Sequence, residues 1–165
     1  MNTLNSKTNK ISANNKIKLS NIINQSDVFF LHNINNKKQL LTKISSIVEG
    51  HTNFSKQKIL DLLLKKENNE NTSIGSGVAL PNIKLSDVEQ SIGIFLKLIK
   101  PINYNSIDNE PVDIILFLIS PTSDFPVYLN ELAYISRFLT KKKTLQNIRA
   151  ALDKETIYAI ITNEL

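Results

Sequence analysis

The apolar residues of this chain recur with two different periods, and the change of period predicts an alternation of helices and strands. After Asn36, a potential N-cap, apolar side chains return every three or four residues until Gly50, which predicts a helix with one buried stripe. A second helix is predicted after the potential N-cap Ser55. Residues 91–98 follow the two-residue period of a strand, and residues 112–120 are almost wholly apolar, as in a central strand covered on both faces.

The remaining segments extend the same pattern. Residues 27–34 predict a short strand or an extended leading segment, and residues 100–111 predict a turn region. Asp124 and Pro126 suit the cap and first turn of another helix, and Asp153 can restart the helical region that follows. The inward positions predicted for these last helices are Leu129, Leu132, Ile135, Phe138, Leu139, Leu145, Ile148, Leu152, Ile157, Ile160 and Ile161. The alternation predicts an α/β fold, a single domain with a small mixed β-sheet flanked by α-helices.

The beginning of the chain differs in composition from the rest. Residues 1–16 are rich in Asn, Ser, Lys and Thr and hold almost no large apolar residue, which predicts a flexible basic N-terminal tail. Residues 17–165 hold the periodic segments and are long enough to bury a core, so we expect them to form one domain.

The net charge of +5 is concentrated near this tail. Lys7, Lys10, Lys16 and Lys18 fall within the first twenty residues, which hold no acidic residue, and without these four the net charge is about +1. The abundance of lysine, asparagine and isoleucine agrees with the codon bias of an AT-rich genome. We favour this explanation of the positive charge over a surface that binds the phosphate backbone of a nucleic acid. Binding of a nucleic acid or another anionic surface through the Lys-rich tail stays open as an alternative.

Several classes of site are excluded by composition. The chain has no cysteine, so disulfides, thiolate metal sites and cysteine nucleophiles are absent. Its two histidines, His32 and His51, have no metal-ligand spacing, and we expect a structural role for both and no metal or cofactor. Walker A and nucleophile-elbow motifs are missing, although a Ser-His-Asp triad assembled by the fold stays open.

Targeting signals are missing from the sequence as well. No apolar run approaches the roughly 20 residues of a membrane span. The lysines near the N-terminus are not followed by the apolar region of a secretory signal. We therefore expect a cytoplasmic protein.

The segment Gly75–Ser76–Gly77 allows two interpretations. Its consecutive backbone N–H groups can form a nest that binds an anion. The alternative is a tight turn that leads the apolar residues after it into a core strand. The three residues alone do not decide between them.

A longer segment around this turn, TSIGSGVALPN (Thr72–Asn82), resembles a family signature. It is similar to the enzyme IIA domains of the fructose/mannitol class in the bacterial phosphotransferase system, in the variant of the nitrogen-regulatory IIA protein. That signature runs from threonine through a Gly-x-Gly turn and a small apolar strand to proline and histidine. Further segments resemble the family in the same order: LSNII (19–23), KILDLLLKKE (58–67), NEPVDIILFLISP (109–121) and YLNELAYISRFL (128–139). The resemblance implies the enzyme IIA fold for about residues 19–165.

The resemblance also implies a chemistry and a set of partners. In that family, a histidine after the Leu-Pro or Ile-Pro pair accepts a phosphoryl group from the phosphocarrier protein HPr or its nitrogen-branch paralogue. A second histidine, at the opening of a later helix, supports the phosphoryl group. Transport-type members pass the group to a IIB domain. Nitrogen-regulatory members control other proteins, including potassium transport and sensor kinases.

This chain departs from the family at both histidines. The acceptor position is Asn82, the supporting position is Tyr128, and Lys66 stands at the arginine of the family's LLxRE segment, which makes it a candidate for the same pocket. An imidazole has a nucleophilic lone pair and a pKa of about 6.5, whereas an amide nitrogen shares its lone pair with the carbonyl. The phenol of Tyr128, with a pKa of about 10, is mostly protonated, and its phosphate ester is too stable for a relay.

We therefore interpret the chain as a nitrogen-regulatory IIA-like module that binds regulatory partners around Asn82 and Tyr128 and carries no phosphoryl group. We expect no enzymatic phosphoryl transfer. The alternative is an active phosphoryl-accepting IIA component that uses another residue, such as His51, Ser76 or Tyr128. In either case the turn at residues 75–77 can still present N–H donors to an anion.

Overall fold

The computed structural model describes residues 16–123 and 125–163. Residues 1–15 of the predicted tail and the predicted cap Asp124 lie outside the described residues. The described chain runs through a 3-10 turn (Leu19–Asn21), β1 (Ile23–Leu31), α1 (Lys37–Glu49), α2 (Lys56–Asn69), β2 (Ser73–Gly75), β3 (Val78–Ala79), β4 (Asn82–Leu85), β5 (Ile92–Ile102), β6 (Val112–Pro121), α3 (Phe125–Leu139), α4 (Lys142–Ala150) and α5 (Lys154–Thr162).

The strands form one six-stranded mixed sheet in the order β1-β5-β6-β3-β2, with β4 also paired to β6. β1 lies parallel to β5, and β5 lies antiparallel to β6. β3 and β4 both lie parallel to β6, along its first and last residues. The predicted mixed sheet is confirmed, with the almost wholly apolar segment as its central strand β6.

Helices cover both faces of this sheet. Neighbouring residues of β5 point to opposite faces, so Ile94 and Leu96 join one apolar cluster and Phe95 joins the other. The first cluster receives Leu40, Leu41, Ile44 and Val48 from α1 and Ile59 and Leu63 from α2. The second receives Ile135, Phe138 and Leu139 from α3, Leu145 and Ile148 from α4, and Ile157 and Ile161 from α5. Burial of each such side chain stabilises the fold by about 1.5–3 kcal/mol.

The predicted helix ends are confirmed where the structure describes them. The side chain of Asn36 accepts a hydrogen bond from the backbone N–H of Gln39, and Ser55 does the same for Lys58. Asp153 caps α5 by accepting from the N–H of Thr156 at 2.7 Å. Hydrogen bonds from the side chain and then from the backbone of Thr156 lower the pKa of the Asp153 carboxyl. Each cap satisfies a donor that the first turn of a helix leaves without a partner.

Two strand boundaries differ from the prediction. β1 begins at Ile23, upstream of the predicted segment 27–34. β5 continues to Ile102, three residues into the predicted turn region. The register between β5 and β6 shifts after Lys97, and Pro101 lies in this irregular stretch, where its missing N–H interrupts no regular ladder.

Two residues predicted to face inward are exposed. Leu129 is 47% exposed because the buried stripe of α3 runs through Tyr128, Glu131, Ile135 and Phe138, which leaves its neighbour Leu129 outside. Leu152 is 93% exposed because it lies in the link between α4 and α5, where the helical period is interrupted. Both predictions were wrong: for Leu129 the buried face of the helix was misjudged, and for Leu152 the helical pattern was continued past the end of α4. Within the described residues, no helix is long and apolar enough to cross a membrane.

Candidate functional site

Three of the residues singled out by the sequence converge at one end of the sheet. Asn82 opens β4, which pairs with the last residues of β6, so that Asn82 lies opposite Leu118. Tyr128 faces it from the beginning of α3, and Lys66 reaches it from the last turn of α2. The structure thus brings together side chains from three elements that are distant in sequence, and we call Lys66, Asn82 and Tyr128 the Asn82 cluster.

The amide oxygen of Asn82 is the centre of the cluster. It accepts a hydrogen bond from Lys66 Nζ at 2.5 Å and another from the hydroxyl of Tyr128. Lys66 Nζ also lies 3.3 Å from the Tyr128 hydroxyl oxygen. The amide nitrogen of Asn82 donates to the carbonyl of Leu80 at 2.8 Å. Asn82 and Tyr128 are both buried, so the amide has protein partners at both ends.

Positive charge surrounds this amide. Lys66 forms an ion pair with Glu70 at 3.5 Å, where the Glu70 side chain is mostly exposed and water weakens the attraction. Lys84 Nζ lies 4.3 Å from the centre of the Tyr128 ring, and Lys66 Nζ lies 5.8 Å from it, both within the range of a cation–π interaction. The arrangement favours an acceptor of hydrogen bonds or an anion at this surface.

A buried network next to Lys66 holds the end of α2 in place. The carboxylate of Glu67 accepts hydrogen bonds from the hydroxyls of Thr72 and Tyr104 and pairs with Lys37 Nζ at 2.6 Å. Lys37 Nζ also lies 4.1 Å from the centre of the Tyr104 ring. Burial and the charge of Glu67 raise the pKa of the Tyr104 hydroxyl, which keeps it protonated as a donor. Because Glu67 follows Lys66 in the helix, this network orients Lys66 toward Asn82.

The glycine turn lies elsewhere in the sheet. Gly75, Ser76 and Gly77 all have positive φ angles, of 90°, 58° and 77°. The N–H of Ser76 donates to the carboxylate of Asp108 at 3.0 Å, and this bond contributes to the lowered pKa of Asp108. One N–H of the turn is therefore already bound to a carboxylate of the protein itself.

The turn is also separated from the Asn82 cluster. It precedes Val78, which pairs with Ile114, whereas Asn82 pairs with Leu118. Four residues of a strand span roughly 13 Å. On its outer side, Arg149 donates to the carbonyl of Ser76 at 2.6 Å and forms an ion pair with Asp113. The structure therefore places the turn outside the cluster and joins it to α4.

Neither histidine lies in the Asn82 cluster. His51 Nε2 lies 2.7 Å from the buried carboxylate of Asp27. On its other side His51 lines a surface pocket together with Asp87 and Glu89. These acidic neighbours disfavour a phosphoryl group at His51. His32 is exposed at the end of β1. Among the described residues, no group of three or more His, Cys, Asp or Glu side chains can hold a metal ion.

Sequence reasoning missed Glu67, Tyr104 and Lys84 as parts of this region. Tyr104 lies in the predicted turn region of residues 100–111, yet it is fully buried. Lys84 follows Asn82 by two residues in β4, so both side chains lie on the same side of the strand. This two-residue spacing could have predicted that Lys84 lies near Asn82. The Glu67–Tyr104 contact joins residues 37 apart in sequence and leaves no local signal.

The chain resembles known proteins over most of its length. Residues 21–164 match the family described as "Phosphoenolpyruvate-dependent sugar phosphotransferase system, EIIA 2". The nitrogen regulatory protein of Klebsiella oxytoca is 32% identical over 153 residues, which cover 92% of this chain and 94% of that protein. The nitrogen regulatory protein of Escherichia coli K12 is 30% identical over 148 residues, 89% of this chain and 91% of that protein.

Solved structures show the same fold. Nitrogen regulatory protein IIA-Ntr from Neisseria meningitidis matches with a TM-score of 0.81 at 23% identity, covering 87% of this chain and 99% of that one. Enzyme IIAMTL of Escherichia coli, determined in complex with phosphorylated enzyme IIBMTL, matches with a TM-score of 0.70 at 9% identity, covering 87% of this chain and 100% of that one. At these identities the matches confirm the α/β fold expected from the sequence.

Proposed function

The chain belongs to the EIIA type-2 family of the phosphotransferase system, in its group of nitrogen regulatory proteins, and we propose that it is a regulatory protein-binding module that carries no phosphoryl group. Its docking site is the surface around Asn82 and Tyr128. Its partners are an HPr-type phosphocarrier or target proteins whose activity it regulates. The observation that carries this proposal is an amide, rather than a nucleophile, at the centre of the cluster.

The chemistry of Asn82 supports the absence of phosphoryl transfer. A phosphoryl acceptor must direct a lone pair at phosphorus, and the amide nitrogen has its lone pair delocalised into the carbonyl. That nitrogen also donates to the carbonyl of Leu80. The amide oxygen accepts from both Lys66 and Tyr128, which fixes the side chain in one orientation. At the position where the resemblance implies the acceptor, Asn82 therefore lacks the property that the reaction needs.

The surface around the cluster supports a docking role. Val127 and Leu129, which flank Tyr128 in sequence, are 46% and 47% exposed. Leu62, one turn before Lys66 on α2, is 36% exposed. Exposed apolar side chains beside polar and charged groups are typical of surfaces that bind another protein. The lysines at residues 66 and 84 add donors for a partner's carboxylates or carbonyls.

Incubation with a phosphorylated HPr-type phosphocarrier tests the proposal directly. Intact mass spectrometry of the purified chain is expected to show no gain of about 80 Da, the mass added by one phosphoryl group. The donor's loss of its own phosphoryl group is followed in the same samples, so that an inactive donor is recognised. A phosphorylated chain would overturn the proposal, and peptide mapping would then place the group on His51, Ser76, Tyr128 or another residue.

A further inference from the structure

Positive charge is concentrated a second time along the chain, in a region that the structure describes. Residues 132–152, which include the second half of α3 and all of α4, hold no acidic residue. Their five cations match the net charge of +5 of the whole chain, and all of them are exposed: Arg137, Lys141, Lys142, Lys143 and Arg149. The surface of the domain is therefore uneven in charge, and α4 carries much of the excess.

Most of these cations have no counterion in the fold. In the part of the chain that the structure describes, Arg149 is the one member of the five that forms an ion pair, with Asp113. Lys141, Lys142 and Lys143 stand at the beginning of α4, whose first turn has neither an acidic residue nor a capping side chain. Cations at this end of a helix oppose its dipole and destabilise it. A partner that brings negative charge offsets this unfavourable placement.

One stripe of α4 lines a groove between this helix and the glycine turn. The groove has a volume of about 440 Å³, and its walls are formed by Ser76, Thr140, Lys142, Leu145, Gln146 and Arg149. Both charged residues of these walls are cations. They lie seven residues apart, which is about 10 Å along a helix, so two negative groups can be held at once. The charge of the lining therefore favours an anion.

The two cations contribute differently to the groove. Arg149 donates through Nε and Nη2 to the carboxylate of Asp113 and the carbonyl of Ser76. A guanidinium has five N–H donors, so the two hydrogens of Nη1 are left for a ligand. Lys142 has no such carboxylate beside it among the described residues. Lys142 therefore supplies the net charge of the groove, and Arg149 supplies further donors.

Acidic residues behind the turn limit the width of the anion. Asp108, which accepts from the N–H of Ser76, is exposed, and so is Glu110. A nucleic acid duplex or a membrane surface extends beyond the groove and meets these carboxylates, which repel it. None of the wall residues is aromatic, so a base finds no ring to stack on. A single polypeptide segment with Asp or Glu side chains meets neither obstacle.

The groove continues toward the Asn82 cluster. Ser136 and Thr140 are one helical turn apart, and the hydroxyl of Thr140 donates to the carbonyl of Ser136 at 2.7 Å. Ser136 lines the next recess, which has a volume of about 270 Å³ and also contains Ile74 and Asn82. A segment that docks near Asn82 can therefore follow α3 to Lys142 along one continuous surface.

We propose that the groove beside α4 binds an acidic segment of the partner protein that docks around Asn82 and Tyr128. Asp or Glu carboxylates of the segment pair with Lys142 and Arg149, and Lys141 and Lys143 attract it from the rim. The inference rests on the proposed docking role and adds the charge of the partner to it. Such charge pairs act mainly on the rate and the specificity of docking.

A peptide titration tests the inference without a phosphocarrier. The probe is a fluorescein-labelled peptide of alternating Glu and Gly, and the same peptide with Gln in place of Glu is its matched control. Fluorescence anisotropy at about 20 mM salt is expected to give a Kd of roughly 1 mM or below for the Glu peptide. The Gln peptide is expected to bind roughly tenfold more weakly, and about 0.5 M salt removes the difference by screening the exposed charges.

Matched charge reversals then locate the site. Lys142→Glu places an acidic residue in the first turn of α4, where it stabilises the helix, so weaker binding is not a result of unfolding. This variant is expected to bind the Glu peptide roughly tenfold more weakly. Lys43→Glu makes the same change of charge at an exposed position of α1, on the other face of the sheet, and is expected to bind like the unchanged chain.

The inference is overturned if the Glu and Gln peptides bind alike, or if Lys142→Glu and Lys43→Glu weaken binding equally. A labelled DNA duplex and vesicles that contain phosphatidylserine are titrated in parallel. Tighter binding of either one than of the Glu peptide, lost in Lys142→Glu, would also overturn it. The phosphocarrier experiment uses no peptide and measures mass, so failure of the proposed function and failure of this inference give different results.

Discussion

The hydroxyl of Tyr104 donates a hydrogen bond to the carboxylate of Glu67 over 3.0 Å, and both side chains are almost completely buried. The bond joins the segment after β5 to the last turns of α2. Lys66, which precedes Glu67, is thereby turned toward the amide of Asn82. The position of a surface lysine in the candidate site therefore depends on a contact in the interior.

Removing the Tyr104 hydroxyl is expected to destabilise the fold. In Tyr104→Phe, the Glu67 carboxylate loses one buried donor, and the free energy of unfolding falls by about 1–3 kcal/mol. Urea denaturation followed by circular dichroism measures the change. Tyr158→Phe, at a half-buried position on α5 outside this network, is the matched control and is expected to change stability by less than about 0.5 kcal/mol. Equal effects of the two variants would contradict the role of the Tyr104–Glu67 bond.

Replacing Asn82 and Tyr128 by histidine, the residue that the resemblance implies at both positions, is expected to enable phosphoryl acceptance. In the double variant Asn82→His and Tyr128→His, an imidazole replaces the amide next to Lys66, and it supplies the missing nucleophilic lone pair. Incubation with a phosphorylated HPr-type donor is expected to add about 80 Da. Tyr128→His alone keeps Asn82 and is expected to gain nothing. A folded double variant that stays unmodified would show that other positions of the pocket, such as Lys66, also differ from what phosphoryl acceptance needs.

The exposed leucine beside Tyr128 is expected to be important for docking. Leu129→Glu places a charge in the proposed apolar contact and is expected to weaken binding of an HPr-type carrier roughly tenfold. Leu152→Glu is the matched control, because Leu152 is 93% exposed and lies in the link between α4 and α5. Surface plasmon resonance with the immobilised carrier compares the two variants. Equal affinities would place the docking surface elsewhere.

The glycine turn offers a paired test of backbone geometry. A Cβ atom at Gly77 would lie 2.5 Å from Arg149 Nη2, and its φ of +77° is strained for any other residue. Gly77→Ala is therefore expected to lower the free energy of unfolding by roughly 1–3 kcal/mol. At Gly50 the φ is −71° and a Cβ meets only ordinary contacts. Gly50→Ala is expected to be neutral or to stabilise by about 0.4–1 kcal/mol, as denaturant titration will show.

The cap of α5 predicts a dependence on pH. Hydrogen bonds from the side chain and the backbone N–H of Thr156 lower the pKa of Asp153 below its ordinary value of 3.8. A lowered folded-state pKa means that this stabilisation is present above the unfolded-state pKa and is lost as pH falls through the folded-state value. Asp153→Asn keeps a capping oxygen that does not titrate, so its stability is expected to fall less steeply below about pH 4. Thermal unfolding of both proteins between about pH 2 and pH 7 compares the slopes.

Local patterns were sufficient for much of the fold. The caps Asn36 and Ser55 were predicted from residue type and spacing, because an N-cap interacts only with residues two or three positions away. The central strand β6 was predicted because a strand buried on both faces must be apolar throughout. Leu129 was predicted wrongly because the period does not show which of two neighbouring residues faces the core. Leu152 was predicted wrongly because the period does not show where a helix ends.

The sequence by itself determined which groups are available for chemistry. It holds an asparagine and a tyrosine where the resemblance implies the two histidines of the family, and no folding can make an amide nitrogen a good nucleophile. Only the tertiary structure decided how those groups are used. Asn82, Tyr128 and Lys66 meet because β4 pairs with the end of β6 between α2 and α3, whereas the glycine turn lies further back on the same strand and already holds the Asp108 carboxylate. Contacts between distant segments depend on strand register and helix rotation, and neither is encoded in the residues that make the contact.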